Sequence, residues 1–173
     1  MQNKKVLFMT QAAVIAALYI VLTLIANALG LANYAIQLRF SEALTILPYY
    51  TAAAVPGLYV GCLLANILTG CAPWDIVFGS LATLIGAVGT YLIGRTKKRF
   101  PAARWLCPIP PIVANMIIVP QVLMRVYGFE GTLGYFTATV GAGEVLSCYV
   151  LGIILLHALE KRKGILPDAD SMQ

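Results

Sequence analysis

The chain has 173 residues, of which 60% are hydrophobic and only 11% are charged. Soluble domains carry charge on about a quarter of their residues, so this composition excludes a water-soluble fold and predicts an all-α integral membrane protein. The net charge of +5 does not indicate a nucleic-acid binder, because the basic residues flank apolar segments instead of lining a soluble face.

Six apolar segments predict six transmembrane helices, which we number spans 1 to 6. Their expected bounds are 6–29, 39–55, 57–69, 75–94, 107–127 and 134–159, within a single membrane domain covering residues 1–173. A basic loop at 95–104 joins spans 4 and 5, and a tail at 160–173 follows span 6. Asp75 is expected either to cap the N-terminus of span 4 or to contact a ligand.

The basic residues predict the orientation of the chain. Apart from Arg39 and Arg125, every Lys and Arg lies before span 1, in the loop 95–104 or in the tail 160–173. Such clusters mark the cytoplasmic side of a membrane protein. With an even number of spans, both termini are then expected in the cytoplasm.

Small residues recur at four-residue spacing along spans 1, 3 and 4, where they allow helices in lipid to approach closely. Internal packing is the expected role in span 3 and span 4, whose stripes are Gly57, Gly61, Ala65 and Gly79, Ala82, Gly86, Gly89. Span 1 carries a doubled stripe, Ala12/Ala16 and Ala13/Ala17. Internal packing and docking of another membrane protein both remain open for it.

Polar residues outside the basic clusters predict a cavity that opens outward. Glu144 lies about ten residues inside span 6, and a carboxylate at membrane depth needs a partner or a wet cavity. The candidate substrate-binding residues are Glu144, Asn115, Asn66, Asp75, Glu42, Arg39, Trp74 and Tyr34. The structural alternatives are an i,i+3 ion pair between Arg39 and Glu42, and an interfacial aromatic belt.

Carboxylates outnumber arginines at the external ends of the spans, which favours a neutral or cationic ligand. A carboxylate can also accept two parallel N–H bonds from a guanine-like edge. The sequence has no GxxxxGK[ST] motif for ATP and a single histidine, His157, at the cytoplasmic end of span 6. We therefore expect a transport subunit with no catalytic residue, cofactor or metal, and not an enzyme.

Three segments resemble one family: IQLRFSEAL at 36–44, GLYVG at 57–61 followed by Asn66, and DIVFGSLATL at 75–84. They are similar to the QueT family, the substrate-binding (S) components of energy-coupling-factor (ECF) transporters linked to queuosine precursors. The likeness spans nearly the whole chain. The small residues of span 1 also look like the surface by which S components dock on their coupling subunit.

The resemblance implies a six-helix S-component fold in the bacterial plasma membrane, with a high-affinity site that opens outward. It implies as partners one membrane coupling subunit of the EcfT type and two ATPases, and as substrate a 7-deazaguanine: queuine, preQ1 or preQ0. Three other readings stay open from the residues alone: an S component for another vitamin, a stand-alone carrier that uses Glu144 as its proton site, and a membrane enzyme or assembly factor.

Overall fold

The computed structural model describes residues 3–31, 38–100 and 102–161, and within these ranges every regular element is a helix and none is a strand. In chain order the elements are α1 (Lys4–Ala28), a 3-10 helix (Phe40–Tyr49), α2 (Ala54–Leu68), α3 (Pro73–Arg95), α4 (Ala103–Leu106), α5 (Ile109–Arg125), α6 (Leu133–Glu144), a π-helix (Val145–Leu151) and α7 (Gly152–Lys161). The predicted all-α fold class is confirmed for this part of the chain.

Within the described residues, four helical segments are long and apolar enough to cross a membrane: Lys4–Ala28, Pro73–Arg95, Ala103–Arg125 and Leu133–Leu159. They correspond to predicted spans 1, 4, 5 and 6. Predicted span 3 is the apolar helix Ala54–Leu68, which has 15 residues. At 1.5 Å per residue it is about 22 Å long, less than the roughly 30 Å hydrocarbon core of a bilayer.

The prediction of an α-helix at 39–55 is wrong. The chain instead forms the ten-residue 3-10 helix Phe40–Tyr49, with Pro48 inside it. All but two of its residues are buried, because α1, α3, α7 and the π-helix pack around it. A helix enclosed in this way contacts protein on every side, so its length is not set by the thickness of the bilayer.

Predicted span 6 is also less regular than expected. A π-helix, Val145–Leu151, interrupts it between α6 and α7. Segments of π-helix are rare, and they occur frequently at functional sites. Here the π-helix begins one residue after Glu144, and it packs against the 3-10 helix.

Glycines hold the helices close together, as the stripes in spans 3 and 4 predict. A Cβ atom on Gly57 would lie 2.7 Å from the carbonyl oxygen of Ala12, and one on Gly61 would lie 3.0 Å from Cα of Ala16. In the same way, a Cβ atom on Gly86 would lie 2.6 Å from Cα of Pro111. The contacts α1–α2 and α3–α5 therefore depend on residues without side chains.

The doubled stripe of α1 divides between two faces. Ala12 and Ala16 lie against α2, where Ala16 is buried. Ala13 and Ala17 are exposed, and they lie with Met9 and Val21 at four-residue spacing on the outer side of α1. We call Met9, Ala13, Ala17 and Val21 the outer face of α1.

Candidate functional site

A cavity of about 620 Å³ lies at the end of the bundle where α1 ends and α3 begins. Its lining combines polar and charged side chains with an apolar wall from α5 and α6: Thr23, Asn27, Arg39, Asn66, Thr69, Gly70, Cys71, Asp75, Val119, Val122, Leu123, Tyr127, Phe129, Glu130, Tyr135, Phe136 and Val140. The basic residues Lys4, Lys5, Arg95 and Lys161 lie at the opposite ends of their helices. The cavity therefore opens on the side away from the basic clusters.

Asp75 and Tyr127 form the polar pair at one side of the cavity. Tyr127 Oη donates a hydrogen bond of 2.8 Å to Asp75 Oδ2 and accepts one of 3.2 Å from the backbone N–H of Ala72. Partial burial, helped by the neighbouring Asp75, raises the pKa of Tyr127 to about 12, so the phenol keeps its proton at neutral pH. The carboxylate of Asp75 is thus held in place by a neutral donor.

The predicted N-cap role of Asp75 is wrong. Helix α3 begins at Pro73, so Asp75 lies inside its first turn, and the capping position is Ala72. The N-terminus of a helix favours a carboxylate in this turn. The side chain of Asp75 is nevertheless buried, and it lines the cavity beside Asn66 of α2.

The side chain of Glu42 is held by a hydrogen bond from Tyr19, so its position is not explained by an i,i+3 ion pair with Arg39 alone. Its Oε1 accepts a 2.5 Å hydrogen bond from Tyr19 Oη, whereas its Oε2 has no hydrogen-bond partner within the described ranges of the chain. Arg39 lines the cavity and acts electrostatically on Asp75 as well as on Glu42. The guanidinium of Arg39 therefore interacts electrostatically with Asp75 in the cavity and with Glu42 in the interior.

Glu144 lies next to Glu42 in the interior. Ligand atoms from Glu42, Glu144 and Cys148 all lie within 4.8 Å of one another, close enough in principle to hold a metal ion. The Cys148 thiol donates a 3.1 Å hydrogen bond to Glu144 Oε2, and the Asn115 side chain also hydrogen-bonds to Glu144. We call Glu42 and Glu144 the carboxylate pair.

The carboxylate pair lies one layer below the cavity. On α1 the lining residue Thr23 stands four residues from Tyr19, and on α6 the lining residue Val140 stands four residues from Glu144. On α5 the same spacing joins Val119, in the lining, to Asn115. Four residues are about one helical turn of 5.4 Å, and in all three helices the step leads toward the basic end of the bundle.

The structure divides the predicted site residues into several groups. Arg39, Asn66 and Asp75 line the cavity. Glu42, Asn115 and Glu144 form the buried layer beneath it. Trp74 is 62% exposed, stacks on Phe78 with 5.9 Å between ring centroids, and is absent from the cavity lining. Tyr34 falls outside the described residues.

Sequence reasoning missed the contribution of α1 to the site. Tyr19, Thr23 and Asn27 share one face of this helix at four-residue spacing. Thr23 and Asn27 line the cavity, Tyr19 binds Glu42, and Thr23 Oγ1 donates a 2.9 Å hydrogen bond to Ser41 Oγ. This polar stripe could have been used to predict that α1 borders the site, because polar groups in a membrane span face protein or a cavity.

Comparisons with known proteins point to a transporter family. A family model described as QueT transporter matches residues 9–161. A curated protein, the Queuosine precursor transporter QueT of Lactococcus lactis subsp. cremoris (strain MG1363), is 28% identical over 102 residues, which cover 58% of this chain and 59% of that protein. The match thus spans less than two thirds of the relative's length. No solved structure matches the chain.

Proposed function

The chain belongs to the QueT transporter family, and from this premise we propose that it is the substrate-binding subunit of an ECF importer for a queuosine precursor. It is a multi-pass protein of the bacterial plasma membrane and not an enzyme. The proposed substrate is a 7-deazaguanine, namely queuine, preQ1 or preQ0. The observation that carries this proposal is the cavity in which Arg39, Asn66 and Asp75 meet the aromatic side chains of α6.

This lining suits a flat heterocycle that carries both donors and acceptors. The guanine-like edge of a 7-deazaguanine presents two parallel N–H groups, which one carboxylate such as Asp75 can accept together. Arg39 supplies donors for a ring carbonyl, and Asn66 supplies both a donor and an acceptor. Tyr135 and Phe136 border the same space and offer ring faces for stacking.

The orientation proposed for the chain places this cavity on the external side. Both termini and the loop at 95–104 would lie in the cytoplasm, because basic residues concentrate there. The cavity is at the opposite end of the bundle, so an external ligand would reach it directly. The six helical segments would then form the S-component fold within one membrane domain.

An S component needs partners to use ATP, and the chain has no ATP-binding motif of its own. We propose one membrane coupling subunit of the EcfT type and two ATPases. The outer face of α1 is the proposed contact with the coupling subunit, since its small residues Ala13 and Ala17 leave room for a second helix to approach closely. Ala12 and Ala16 are already occupied by α2.

The test is a calorimetric or thermal-shift titration of the detergent-purified chain with queuine, preQ1, preQ0 and guanine, alongside thiamine and riboflavin. Submicromolar binding restricted to deazaguanines is expected. Binding of thiamine or riboflavin instead would refute this substrate class and make the chain an S component for another vitamin.

The carboxylate pair at membrane depth favours one second candidate, a stand-alone carrier driven by protons. Uptake by cells separates the two functions. Uptake that stops when the ATPases are deleted supports the ECF importer. Uptake that continues without them but collapses with an uncoupler supports the proton-coupled carrier.

A further inference from the structure

The carboxylate pair has unused capacity to accept hydrogen bonds. Glu42 is 1% exposed, yet among the described residues its Oε2 has no hydrogen-bond partner. The hydroxyl of Ser147, in the neighbouring π-helix, is also buried and finds no partner in this part of the chain. A buried carboxylate oxygen without a donor is costly, so native proteins normally satisfy such atoms with protein, water or a ligand.

The described groups around the pair supply one cation for two carboxyl groups. These groups are Tyr19 of α1, Arg39 before the 3-10 helix, Thr45 within it, Cys62 of α2, Asn115 of α5 and Cys148 of the π-helix. Arg39 is the one cation among them, and it also acts on Asp75 in the cavity. With one cation shared in this way, the pair must either keep a proton or take up a further positive charge, because buried charges are stable only when they are paired.

The place of the pair relative to the cavity indicates how a further positive charge would reach it. Val140 and Val119 line the cavity, and Glu144 and Asn115 lie one helical turn of about 5.4 Å beneath them. A ligand whose ring lies in the cavity would reach this layer with a short arm. A primary alkylammonium group at the end of such an arm carries one positive charge and three N–H donors.

We propose that the carboxylate pair, Glu42 and Glu144, is an inner subsite that binds an alkylammonium arm of the transported ligand. This inference rests on the proposed function, because it assumes that a deazaguanine ring occupies the cavity. It divides the candidate substrates by chemistry: preQ1 ends in a primary amine, queuine carries a secondary amine that bears a further ring, and preQ0 carries an uncharged nitrile. The terminal amine of preQ1 fits the subsite best, so preQ1 is expected to bind more tightly than preQ0.

The experiment measures Kd for preQ1, queuine and preQ0 with the purified full chain and with Glu144→Gln and Glu42→Gln. In the unchanged chain preQ1 should bind at least tenfold more tightly than preQ0. In either variant this ratio should fall toward one, mainly through weaker binding of preQ1. Asp75→Asn is the matched control: it removes a carboxylate from the cavity itself, so it should weaken all three ligands and keep their ratio.

Equal affinities of the unchanged chain for preQ1 and preQ0 would overturn the inner subsite and leave the proposed function standing. A preference for preQ1 over preQ0 that persists in both glutamine variants would also overturn it. If neither variant folds, the affinities of the unchanged chain still test the inner subsite, because a preQ0 affinity equal to that of preQ1 excludes an ammonium subsite. A folded chain that binds none of the three refutes the proposed function and this inference together.

Discussion

Ala16 and Ala17 are neighbours in the chain but lie on different sides of α1, and leucine at the two positions should have opposite effects. Ala16 is buried against α2, where a Cβ atom on Gly61 would lie only 3.0 Å from Cα of Ala16. The additional atoms of Ala16→Leu have no space in this contact. Overpacking of this kind typically costs about 1–3 kcal/mol. Ala17→Leu adds an apolar side chain to an exposed face, and a stability change within about 0.5 kcal/mol is expected.

Two assays on the same two variants separate packing from docking. Thermal unfolding of the detergent-purified chain reports on the α1–α2 contact, and Ala16→Leu should lower the melting temperature while Ala17→Leu leaves it unchanged. Co-purification with the coupling subunit reports on the outer face of α1. Ala17→Leu should reduce the yield of the complex and keep deazaguanine binding by the isolated chain.

The α1–α2 contact and the docking surface are refuted by different results. An unchanged melting temperature of Ala16→Leu would show that α1 and α2 are not packed through Ala16 and Gly61. Normal co-purification of Ala17→Leu, and of Ala13→Leu beside it, would show that the coupling subunit docks elsewhere.

Three further substitutions test the α3–α5 contact and the Asp75–Tyr127 pair. Gly86→Ala should cost about 1–3 kcal/mol of stability and so lower the melting temperature, because its Cβ would lie 2.6 Å from the backbone of Pro111. Gly134→Ala is the control: a Cβ there would meet nothing within 4 Å, so the variant should be neutral or up to about 1 kcal/mol more stable. Equal effects of the two substitutions would contradict the close α3–α5 contact. Tyr127→Phe removes the donor that holds Asp75, so titration should show deazaguanine binding weakened by about 1 kcal/mol, or several-fold in Kd, with the melting temperature kept. Unchanged affinity would mean that Asp75 is positioned by other groups.

The sequence predicted the long helices well because hydropathy and basic flanks depend on local composition. The segment 39–55 was mispredicted for a physical reason: an apolar run looks the same whether lipid or protein surrounds it. Here protein surrounds it, since the 3-10 helix is enclosed by its neighbours. Winding the segment as a 3-10 helix depends on these tertiary contacts, which no local pattern reveals.

The site was predictable in part for the same reason. Glu144 was identified because a carboxylate at membrane depth is rare in any sequence. The proximity of Glu144 to Glu42 was not predicted, because these residues are about a hundred positions apart in the sequence. They meet only when the π-helix packs on the 3-10 helix. The outward position of Trp74 was equally hidden, since an aromatic residue at a helix start has the same local pattern on either face.

The 3-10 helix also has a mechanical consequence. At about 2.0 Å per residue its ten residues extend about 20 Å, whereas the same residues wound as an α-helix would extend about 15 Å. One winding therefore reaches about one α-helical turn further than the other without any added residue. Because Arg39 precedes this segment and Tyr49 ends it in the layer of Ala103 and Leu156, a change of winding would shift Arg39 along the bundle axis relative to that layer.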